Sequence, residues 1–530
     1  MEDLKNNYIE KMLNKHLKET SLSDVITRVC ETVDLKPAKY LKDIVENSLY
    51  LPASTIMINS SSVKTAKRDI HNCYLYSVED DINSIAQTYR DVCLLTANGG
   101  GIGLDVSKLS GRAKHVSTHG IIPFILAFAS VVSSTKQTDR NNGNVCFYCD
   151  INHPEITDFI NIHNYKSGGD LNSKRPDVFN AVKINDEFME SLKSGNEKSI
   201  ELITEILRLR FETGRPFIYF SDNVNRGKCP TYQDKNVTMS NLCTEILVET
   251  TDNKASLCTL ASINFKTIMK LTPQQRTVAL KHLVTLMKRV YSQSEHKNTI
   301  EFKNEVVPKN FDGSIGIGIF GYIDRVEELG LVFDDEIVKT ELCNLLDEVN
   351  ALGTEAGFSQ VTAIAPTENI SRVFGASQGL DYYTSKEFVN KDYGKQQIYN
   401  VNHKHTAYDF AQSRRLEFVG EIQKHVHQGI STSLFYKNDV TMQEMMQDLV
   451  IAWKAGVKTL YYVKVENYRK PNDVYERNDS MIQTRSNVTA VNHTADYSIP
   501  DGHLIIKPST CVQMKAFKGD NKPNCGGCGG

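Results

Sequence analysis

The stretch DLVIAWKAGVKTLYYVKV, residues 448–465, restricts the fold of this chain more than any other. Its first half has the apolar spacing of a helix and ends at Gly456, since glycine commonly terminates helices. Its second half is rich in β-branched and aromatic residues, which favour a strand. A helix that leads directly into a strand is typical of α/β folds, and such steps recur along the chain.

Two helices are predicted from their sequence patterns. Residues 1–50 are expected to be helical, because LSDVITRVCETV at 22–33 has apolar residues at helical spacing. Another helix is predicted to start at Pro273, with Thr272 as N-cap and Gln275 as the capping-box partner. The apolar face of this second helix contains Leu280, Leu283, Val284, Met287 and Val290.

Composition narrows the class of protein. The chain has 530 residues, 40% of them hydrophobic, enough for several domains or one large barrel. A net charge of −3 gives no basic field for a nucleic-acid backbone, so no nucleic-acid partner is expected. The longest apolar run, residues 120–132, contains Pro123 and is too short to span a bilayer. The N-terminus lacks a secretory signal, and we expect a cytoplasmic protein that does not bind membranes.

Cysteine and histidine patterns do not predict a metal site. Twelve cysteines are too few for a disulfide scaffold, and most are expected to be reduced and buried. The CFYC sequence at 146–149 has the spacing of a zinc knuckle but lacks a second pair nearby. The pairs His403/His405 and His425/His427 lack cysteine or carboxylate partners at ligand spacing, so we expect no bound metal.

The glycine-rich stretch TANGGGIGLD, residues 96–105, invites comparison with dinucleotide-binding loops. It does not fit the G-x-G-x-x-G register of those loops. It instead predicts a tight turn at which backbones approach closely.

The most informative stretch is SNLCTEILVETTDNKASLCTLASINF, residues 240–265, in which Cys243 lies between Asn241 and Glu245. This N-x-C-x-E arrangement resembles the catalytic segment of the ribonucleotide reductase large subunit. The resemblance covers most of the chain, with further motifs in the order of that family. These motifs are HNCYLYSVEDDINSI at 71–85, GGIGLD at 100–105, IGIGIFGY at 315–322, APTENIS at 365–371, GVKTLYYVK at 456–464 and CGGC at 525–528.

The resemblance implies a ten-stranded α/β barrel with the radical-bearing cysteine on a finger loop through its centre. It also implies radical chemistry, because hydroxide is a poor leaving group from an unactivated ribose carbon. Cys243 would carry a thiyl radical that abstracts the 3′-hydrogen, Glu245 would accept the 3′-hydroxyl proton, and Asn241 would hold that hydroxyl. Cys73 and Cys258 match the two thiols that supply reducing equivalents and end as a disulfide, which requires a closed fold to bring them together.

Tyr461 and Tyr462 match the family's radical-transfer pair. Adjacent strand side chains point to opposite faces, so stacking both on a path to Cys243 requires an irregular backbone there. In class I members the pair relays the oxidising equivalent from a separate radical-generating small (beta) subunit. We therefore expect that partner, and no cofactor bound tightly by this chain. A cobalamin-dependent reductase and a catalytically silent nucleotide-binding regulator are the alternatives.

The PTENIS segment is expected to open a helix whose N-terminal amides bind the substrate phosphate. The residues that match the family's phosphate turn are Thr367, Glu368, Asn369, Ile370 and Ser371. The sequence leaves open whether ribonucleoside diphosphates or triphosphates bind.

Nucleotide effectors and a homodimer are further expectations from the resemblance. Asp80 matches an effector-binding acid, and Arg112 is a second candidate. The segment before the first core motif leaves no room for the family's usual N-terminal ATP-binding domain, which argues against on/off control by ATP and dATP. Residues 136–148 replace the loop that is glycine-rich in many relatives and reads effector identity, which argues against ordinary specificity regulation.

These features divide the chain into a helical region at 1–50, a barrel at 51–466 and a polar tail at 467–530. The tail carries NCGGCGG, in which Cys525 and Cys528 are expected to form a mobile dithiol. This dithiol would pass electrons from a thioredoxin- or glutaredoxin-type reductant to the barrel. A general thiol-disulfide exchange protein is another alternative, but it would not explain the barrel motifs.

Overall fold

The structure is a computed structural model of the chain. It describes residues 6, 8–10, 12–13, 18–60, 70–71, 73–111, 120–135, 143–162, 178–226, 236–250, 254–295, 299–302, 305–310, 313–392 and 395–466. Arg112, the loop at 136–142 and the predicted tail from residue 467 lie outside the described residues.

Strands and helices alternate along the described chain, as the α/β prediction requires. The strands are β1 Tyr50–Pro52, β2 Cys73–Ser77, β3 Gly101–Asp105, β4 Asn144–Asp150, β5 Phe179–Ile184, β6 Phe217–Phe220, β7 Ala255–Asn264, β8 Thr299–Phe302, β9 Glu305–Asn310, β10 Ser314–Phe320, β11 Gln360–Thr362, β12 Glu387–Asp392, β13 Lys395–Asn400, β14 Leu434–Tyr436, β15 Thr459–Leu460 and β16 Val463–Val465.

The α-helices connect and cover these strands. They are α1 Leu22–Thr32, α2 Ala38–Tyr40, α3 Ser54–Asn59, α4 Ile82–Ala97, α5 Ile121–Ser134, α6 Ile156–Ile160, α7 Asp186–Lys193, α8 Glu197–Thr213, α9 Ser221–Arg226, α10 Phe265–Ile268, α11 Pro273–Glu295, α12 Tyr322–Leu329, α13 Glu336–Glu355, α14 Glu368–Val373, α15 Gln412–Gln423 and α16 Met442–Lys454. A π-helical turn, Leu41–Glu46, follows α2 directly. Within the described part of the chain, every helix is too short or too polar to cross a membrane.

Ten strands close into a barrel made of two parallel halves. The first half contains β2, β3, β4, β5 and β6 in sequential order. The second half contains β7, β10 and β11, which are parallel to one another, and then the segment 428–432 and β15. The halves join where β2 pairs antiparallel with β7 and where β15 pairs antiparallel with β6. The predicted ten-stranded barrel is confirmed.

The segment 428–432 closes the ring between β11 and β15. Its bonds to the β11 side run from the Gln428 amide to the Thr362 carbonyl, at 3.0 Å, and from the Ser431 amide to the Ile364 carbonyl, at 2.9 Å. On its other side, the Tyr461 amide donates to the Thr432 carbonyl at 2.7 Å. These bonds supply the missing strand of the second half.

Both faces of the central strands are buried, because one faces the barrel interior and the other lies under helices. Every residue of β2 and of β7 is buried, and α11 packs against β7. This double burial explains why the strand sequences consist largely of apolar and small residues.

The helix starts after Ser21 and after the predicted N-cap Thr272 have clear physical causes. Ser21 accepts a hydrogen bond from the Asp24 amide and forms a capping box with it, which starts α1. Thr272 and Gln275 bond reciprocally ahead of α11, at 3.4 and 3.1 Å, as predicted. The predicted apolar face of α11 is buried throughout.

The strand predicted from 457 to 465 is divided into two. β15 ends at Leu460 and β16 begins at Val463, so Tyr461 and Tyr462 lie in an irregular segment between them. The interruption has a tertiary cause. Successive backbone amides bond different segments: the Tyr461 amide donates to the Thr432 carbonyl, whereas the Val463 amide donates to the Gly214 carbonyl.

Candidate active site

Residues 236–250 form a loop without helix or strand, here called the finger loop, that lies against the first half of the barrel. Gly103 permits this close approach, because a Cβ atom there would lie 1.7 Å from the Ser240 carbonyl oxygen. The Tyr148 hydroxyl of β4 donates to the Asn241 carbonyl at 2.7 Å. The predicted close backbone approach at the glycine-rich stretch is thus confirmed at Gly103.

The second half of the barrel holds the same loop from the opposite side. The Gly429 amide donates to the Glu245 carbonyl at 2.8 Å, and the Thr459 hydroxyl donates to the Thr244 carbonyl at 2.9 Å. Thr244 has φ of +70°, a left-handed conformation that is uncommon for a β-branched residue. The loop is therefore fixed by bonds to both halves of the barrel.

Cys73 and Cys258 face each other across the junction of the two halves. They are register partners in the antiparallel pair of β2 and β7, and both are free thiols. Directly opposed residues of such a pair have Cα atoms about 4.5 to 5.5 Å apart, which is within disulfide range. The Asn241 side-chain amide donates to Cys73 Sγ at 3.3 Å, and the Gln428 amide donates to Cys258 Sγ at 3.8 Å.

Glu245 is the buried carboxyl group beside these thiols, with an exposed fraction of 1%. Burial raises the pKa of Glu245 to about 7, although hydrogen bonds from Asn241 and Ser431 oppose the rise. The Ser431 hydroxyl lies 3.2 Å from the Glu245 carboxylate and 2.6 Å from the Cys243 carbonyl. A carboxyl group with a pKa near 7 can exchange a proton with a bound substrate near neutral pH.

Cys243 lies at the end of an aromatic path. The Tyr461 hydroxyl is 3.8 Å from Cys243 Sγ, and the rings of Tyr461 and Tyr462 have centroids 4.3 Å apart. Phe217 packs on both tyrosines, with centroid distances of 4.6 and 5.0 Å. Burial raises the pKa of Tyr462 to about 12 and also raises the pKa of Tyr461 well above its ordinary value, so both are neutral phenols.

The predicted phosphate turn begins at a residue with left-handed backbone. Thr367, with φ of +56°, precedes α14, and its hydroxyl accepts a bond from the Gly379 amide at 2.9 Å. Glu368 points outward and forms an ion pair with Arg372 at 2.8 Å. The rest of the predicted turn, Asn369, Ile370 and Ser371, lies within α14.

A cavity of about 560 Å³ connects the phosphate turn with the tyrosine pair. Its lining includes Pro366, Glu368, Gly379, Ser431, Tyr461 and Tyr462. Cys243 is near enough to Glu368 that this carboxylate contributes to its raised pKa, after burial and Glu245. The cavity therefore joins the turn and the aromatic path in one site.

Some predicted residues lie outside this site. Asp80 follows β2 on the surface, where the Ser110 hydroxyl donates to it. Arg112, Cys525 and Cys528 lie outside the described residues.

The cysteines and histidines considered as metal ligands do not form a common site in the described structure. Cys146 and Cys149 are buried on opposite faces of β4, so they cannot share one ligand site. His403 bonds to Asp324 at 3.1 Å, and His425 bonds to Asp347 at 2.9 Å. Among the described residues, no three histidine, cysteine or acidic side chains are grouped to hold a metal.

Three residues of the site were not predicted from the sequence. Gln428 and Ser431 belong to HVHQGIST, in which no local pattern distinguishes them from ordinary polar residues of a loop. Arg210 is fully buried on α8, and its guanidinium donates to the Tyr461 carbonyl at 2.9 Å. A charged residue within the apolar face of a helix was the available signal for Arg210.

The fold and the site together define an α/β-barrel protein. Its central loop carries a cysteine and a buried carboxyl group beside two further cysteines on the barrel strands. Comparison with known protein families identifies the family to which this barrel belongs. The model of the family described as "Ribonucleotide reductase, barrel domain" matches residues 71–201, 193–354 and 398–463. The chain belongs to this family.

Individual relatives are distant but similar over most of their length. The ribonucleoside-diphosphate reductase subunit alpha of Helicobacter pylori (strain ATCC 700392 / 26695) is 22% identical over 77% of this chain and 72% of its own. The ribonucleoside-diphosphate reductase large subunit of Invertebrate iridescent virus 3 is 23% identical over 74% of this chain and 82% of its own. The solved Actinobacillus ureae class Id ribonucleotide reductase alpha subunit has the same fold, with a TM-score of 0.71, 18% identity, and coverage of 84% and 93%.

Proposed function

We propose that this ribonucleotide reductase chain is the catalytic subunit, which replaces the 2′-hydroxyl of a ribonucleotide by hydrogen through a thiyl radical on Cys243. The observation that carries the proposal is the placement of Cys243 on the finger loop. It lies 3.8 Å from the Tyr461 hydroxyl. Burial raises the pKa of the neighbouring Cys73 thiol, and Glu245, Cys243 and Cys258 are close enough to add to the rise. A protein that only binds nucleotides does not need thiols, a phenol and a carboxyl group in this arrangement, which argues against the regulator alternative.

In the proposed reaction the Cys243 radical removes the 3′-hydrogen, and Glu245 accepts the proton of the 3′-hydroxyl. The 2′-hydroxyl then leaves as water after it takes a proton from the Cys73/Cys258 pair. The same pair supplies the hydrogen that replaces it at C2′, and the two thiols become one disulfide. As the thiol pair gives up its remaining electron to the ribose, Glu245 returns its proton to the 3′-oxygen and the 3′-hydroxyl is restored. Cys243 finally returns hydrogen to C3′ and recovers its radical.

Tyr461 and Tyr462 are proposed to carry the oxidising equivalent to Cys243 from a separate radical-generating beta subunit. The contact between their tilted rings and the contact of Tyr461 with Cys243 favour this route over radical formation within the chain, as in the cobalamin-dependent alternative. Under this proposal the chain itself holds no tightly bound cofactor.

The substrate is proposed to bind with its phosphates at the turn before α14 and its ribose toward Cys243. The cavity that joins these two places supports this orientation. Relatives named as ribonucleoside-diphosphate reductases favour a diphosphate. A homodimer, nucleotide effectors near Asp80, and a thioredoxin- or glutaredoxin-type reductant that acts through Cys525 and Cys528 complete the proposal.

Substitution of Cys243 tests the proposal. We expect Cys243→Ser and Cys243→Ala to abolish deoxynucleotide formation while nucleotide binding persists, because the thiol acts only in the radical step. Product is measured by chromatography with substrate, reductant and candidate beta subunits. Cys343→Ser is the control, since Cys343 lies on α13, outside the site. Deoxynucleotide formation by either Cys243 variant at a substantial rate would refute the assignment.

A further inference from the structure

Gln428 is held rigidly against the sulfur of Cys258. Its side-chain oxygen accepts a bond from the Leu247 amide at 3.1 Å, at the end of the finger loop. Its side-chain nitrogen donates to the Ile315 carbonyl of β10 at 3.0 Å and to Cys258 Sγ at 3.8 Å. The residue is fully buried, so this amide has no alternative contact with water.

The two sulfurs of the pair have different surroundings. Cys258 is completely buried and packs beside Gly316, where a Cβ atom would be 3.3 Å from its sulfur. Cys73 retains an exposed fraction of 5%, and its amide donor is Asn241. The Cys73 residue is thus the more exposed of the two, and an incoming thiolate is expected to approach the pair from the Cys73 side.

On the basis of the proposed function, we propose that Gln428 makes Cys258 the leaving group when the Cys73–Cys258 disulfide is reduced. A thiolate of the dithiol reductant attacks Cys73 Sγ and forms a new S–S bond to it. The Cys73–Cys258 bond breaks, and its electron pair remains on Cys258 as a thiolate that accepts the hydrogen bond of Gln428. The second thiol of the reductant then releases Cys73, and protons from solvent convert both sulfurs to thiols.

Leaving-group chemistry explains why this donor matters. A thiol with a lower pKa leaves faster in thiol-disulfide exchange. Burial raises the pKa of Cys258 to about 12, and the Gln428 amide opposes that rise. A hydrogen bond to a charged group is stronger than one to a neutral group, so the amide stabilises the departing thiolate more than the intact disulfide.

The test measures disulfide reduction directly. A full-length chain with Cys525→Ser and Cys528→Ser is oxidised, and reduction of Cys73–Cys258 by excess dithiothreitol is followed by acid quenching, alkylation and peptide mass mapping. Adding Gln428→Met, which removes the donor but keeps similar length, is expected to slow reduction by about tenfold. Gln412→Met is the matched control, because Gln412 is also buried but bonds to the backbone of Phe410 and Phe435.

The position of the first mixed disulfide provides a second readout that requires no substitution of Gln428. With a monothiol and acid quenching, we expect the adduct on Cys73 and a free, alkylated Cys258. An adduct mainly on Cys258, or equal rates for the Gln428→Met and Gln412→Met chains, would overturn the inference. Neither assay needs the beta subunit or substrate, so these failures would leave the radical mechanism intact. If oxidation never joins Cys73 to Cys258, both the inference and the proposed redox pair are wrong.

Discussion

At the scale of single residues, Glu245 sets the pH dependence of the site. As the proposed base it must be a carboxylate when substrate binds, and burial raises its pKa to about 7. Turnover should therefore decline as the pH falls below about 7. Glu245→Gln should reduce it by roughly 10² to 10⁴ above pH 7, where the wild-type group is a carboxylate, and by less at lower pH. A pH–rate profile with saturating beta subunit measures both effects. A wild-type rate in the Gln variant would exclude Glu245 as the base.

The same shift has a consequence for stability. The folded chain binds the Glu245 proton more tightly than the unfolded chain, whose carboxyl has the ordinary pKa of 4.5. The contribution of Glu245 to the free energy of unfolding is therefore fully present below pH 4.5 and should fall by on the order of 3 kcal/mol as the pH rises to about 7. Glu245→Gln should lack this decrease, so the stability difference between the two chains changes with pH in denaturant titrations.

Tyr461 provides a test of the proposed relay. Phe preserves the packing on Phe217 and Tyr462 but cannot be oxidised like a phenol, so Tyr461→Phe should stop turnover with the beta subunit. Tyr322→Phe is the control, since the Tyr322 hydroxyl lies away from the active site. In the described structure it donates to the Phe333 carbonyl at 2.6 Å. The control should lose about 1 kcal/mol of stability and keep its rate. Turnover by the Tyr461 variant at the wild-type rate would rule out the relay.

At the scale of elements, the finger loop depends on its neighbours for its shape, because it has no ladder of its own. Gly103→Ala should displace it, since the new Cβ would meet the Ser240 carbonyl at 1.7 Å. Misplacement of reacting groups by about 1 Å can cost roughly 10² in rate, so we expect at least that loss. Turnover and thermal unfolding measured together separate displacement of the loop from unfolding.

Gly330→Ala is the matched control for that experiment. Gly330 has φ of +68°, so alanine is strained there by about 1 to 2 kcal/mol, but nothing lies within 4 Å of the added atom. This variant should lose stability and retain its rate. If Gly103→Ala also retains its rate, the finger loop tolerates movement at Ser240 and the packing argument is wrong.

Elements with local causes were predictable from sequence, and those with tertiary causes were not. The starts of α1 and α11 follow from capping residues next to them in the chain, Ser21 and Thr272. The irregular backbone at Tyr461 was expected only from the family resemblance, because its bonds to Thr432 and Gly214 involve distant segments that no local pattern identifies. The cysteines and tyrosines of the site were predicted from motifs that resemble the family. Gln428 acts through neighbours on the finger loop and β10, so only the folded chain shows its contact with Cys258.

At the scale of the whole molecule, barrel closure assembles the site. Cys73 and Cys258 belong to opposite halves and become neighbours only where β2 meets β7. The second closure, through 428–432 and β15, places Gln428 and Ser431 against the finger loop and Tyr461 beside Cys243. The closure that stabilises the fold would thus also shield the proposed Cys243 radical from solvent. It also buries the disulfide that each proposed turnover produces.

That burial makes a carrier necessary in the proposed cycle. A protein reductant is too large to enter the barrel, whereas a dithiol on a glycine-rich segment can reach a buried sulfur at high effective concentration. Cys525→Ser with Cys528→Ser should therefore permit about one turnover of prereduced chain before it stalls with a thioredoxin-type reductant. Product formed per chain over time, measured by rapid quenching, distinguishes one turnover from many.

A small dithiol and a matched double substitution complete this test. Dithiothreitol diffuses into the barrel and should restore part of the steady rate to the tail variant, because the Cys73–Cys258 pair itself is unchanged. Cys93→Ser with Cys343→Ser removes two other partly exposed thiols and should keep full activity with the protein reductant. Sustained turnover of the tail variant with the protein reductant alone would show that electrons reach Cys73 and Cys258 without Cys525 and Cys528.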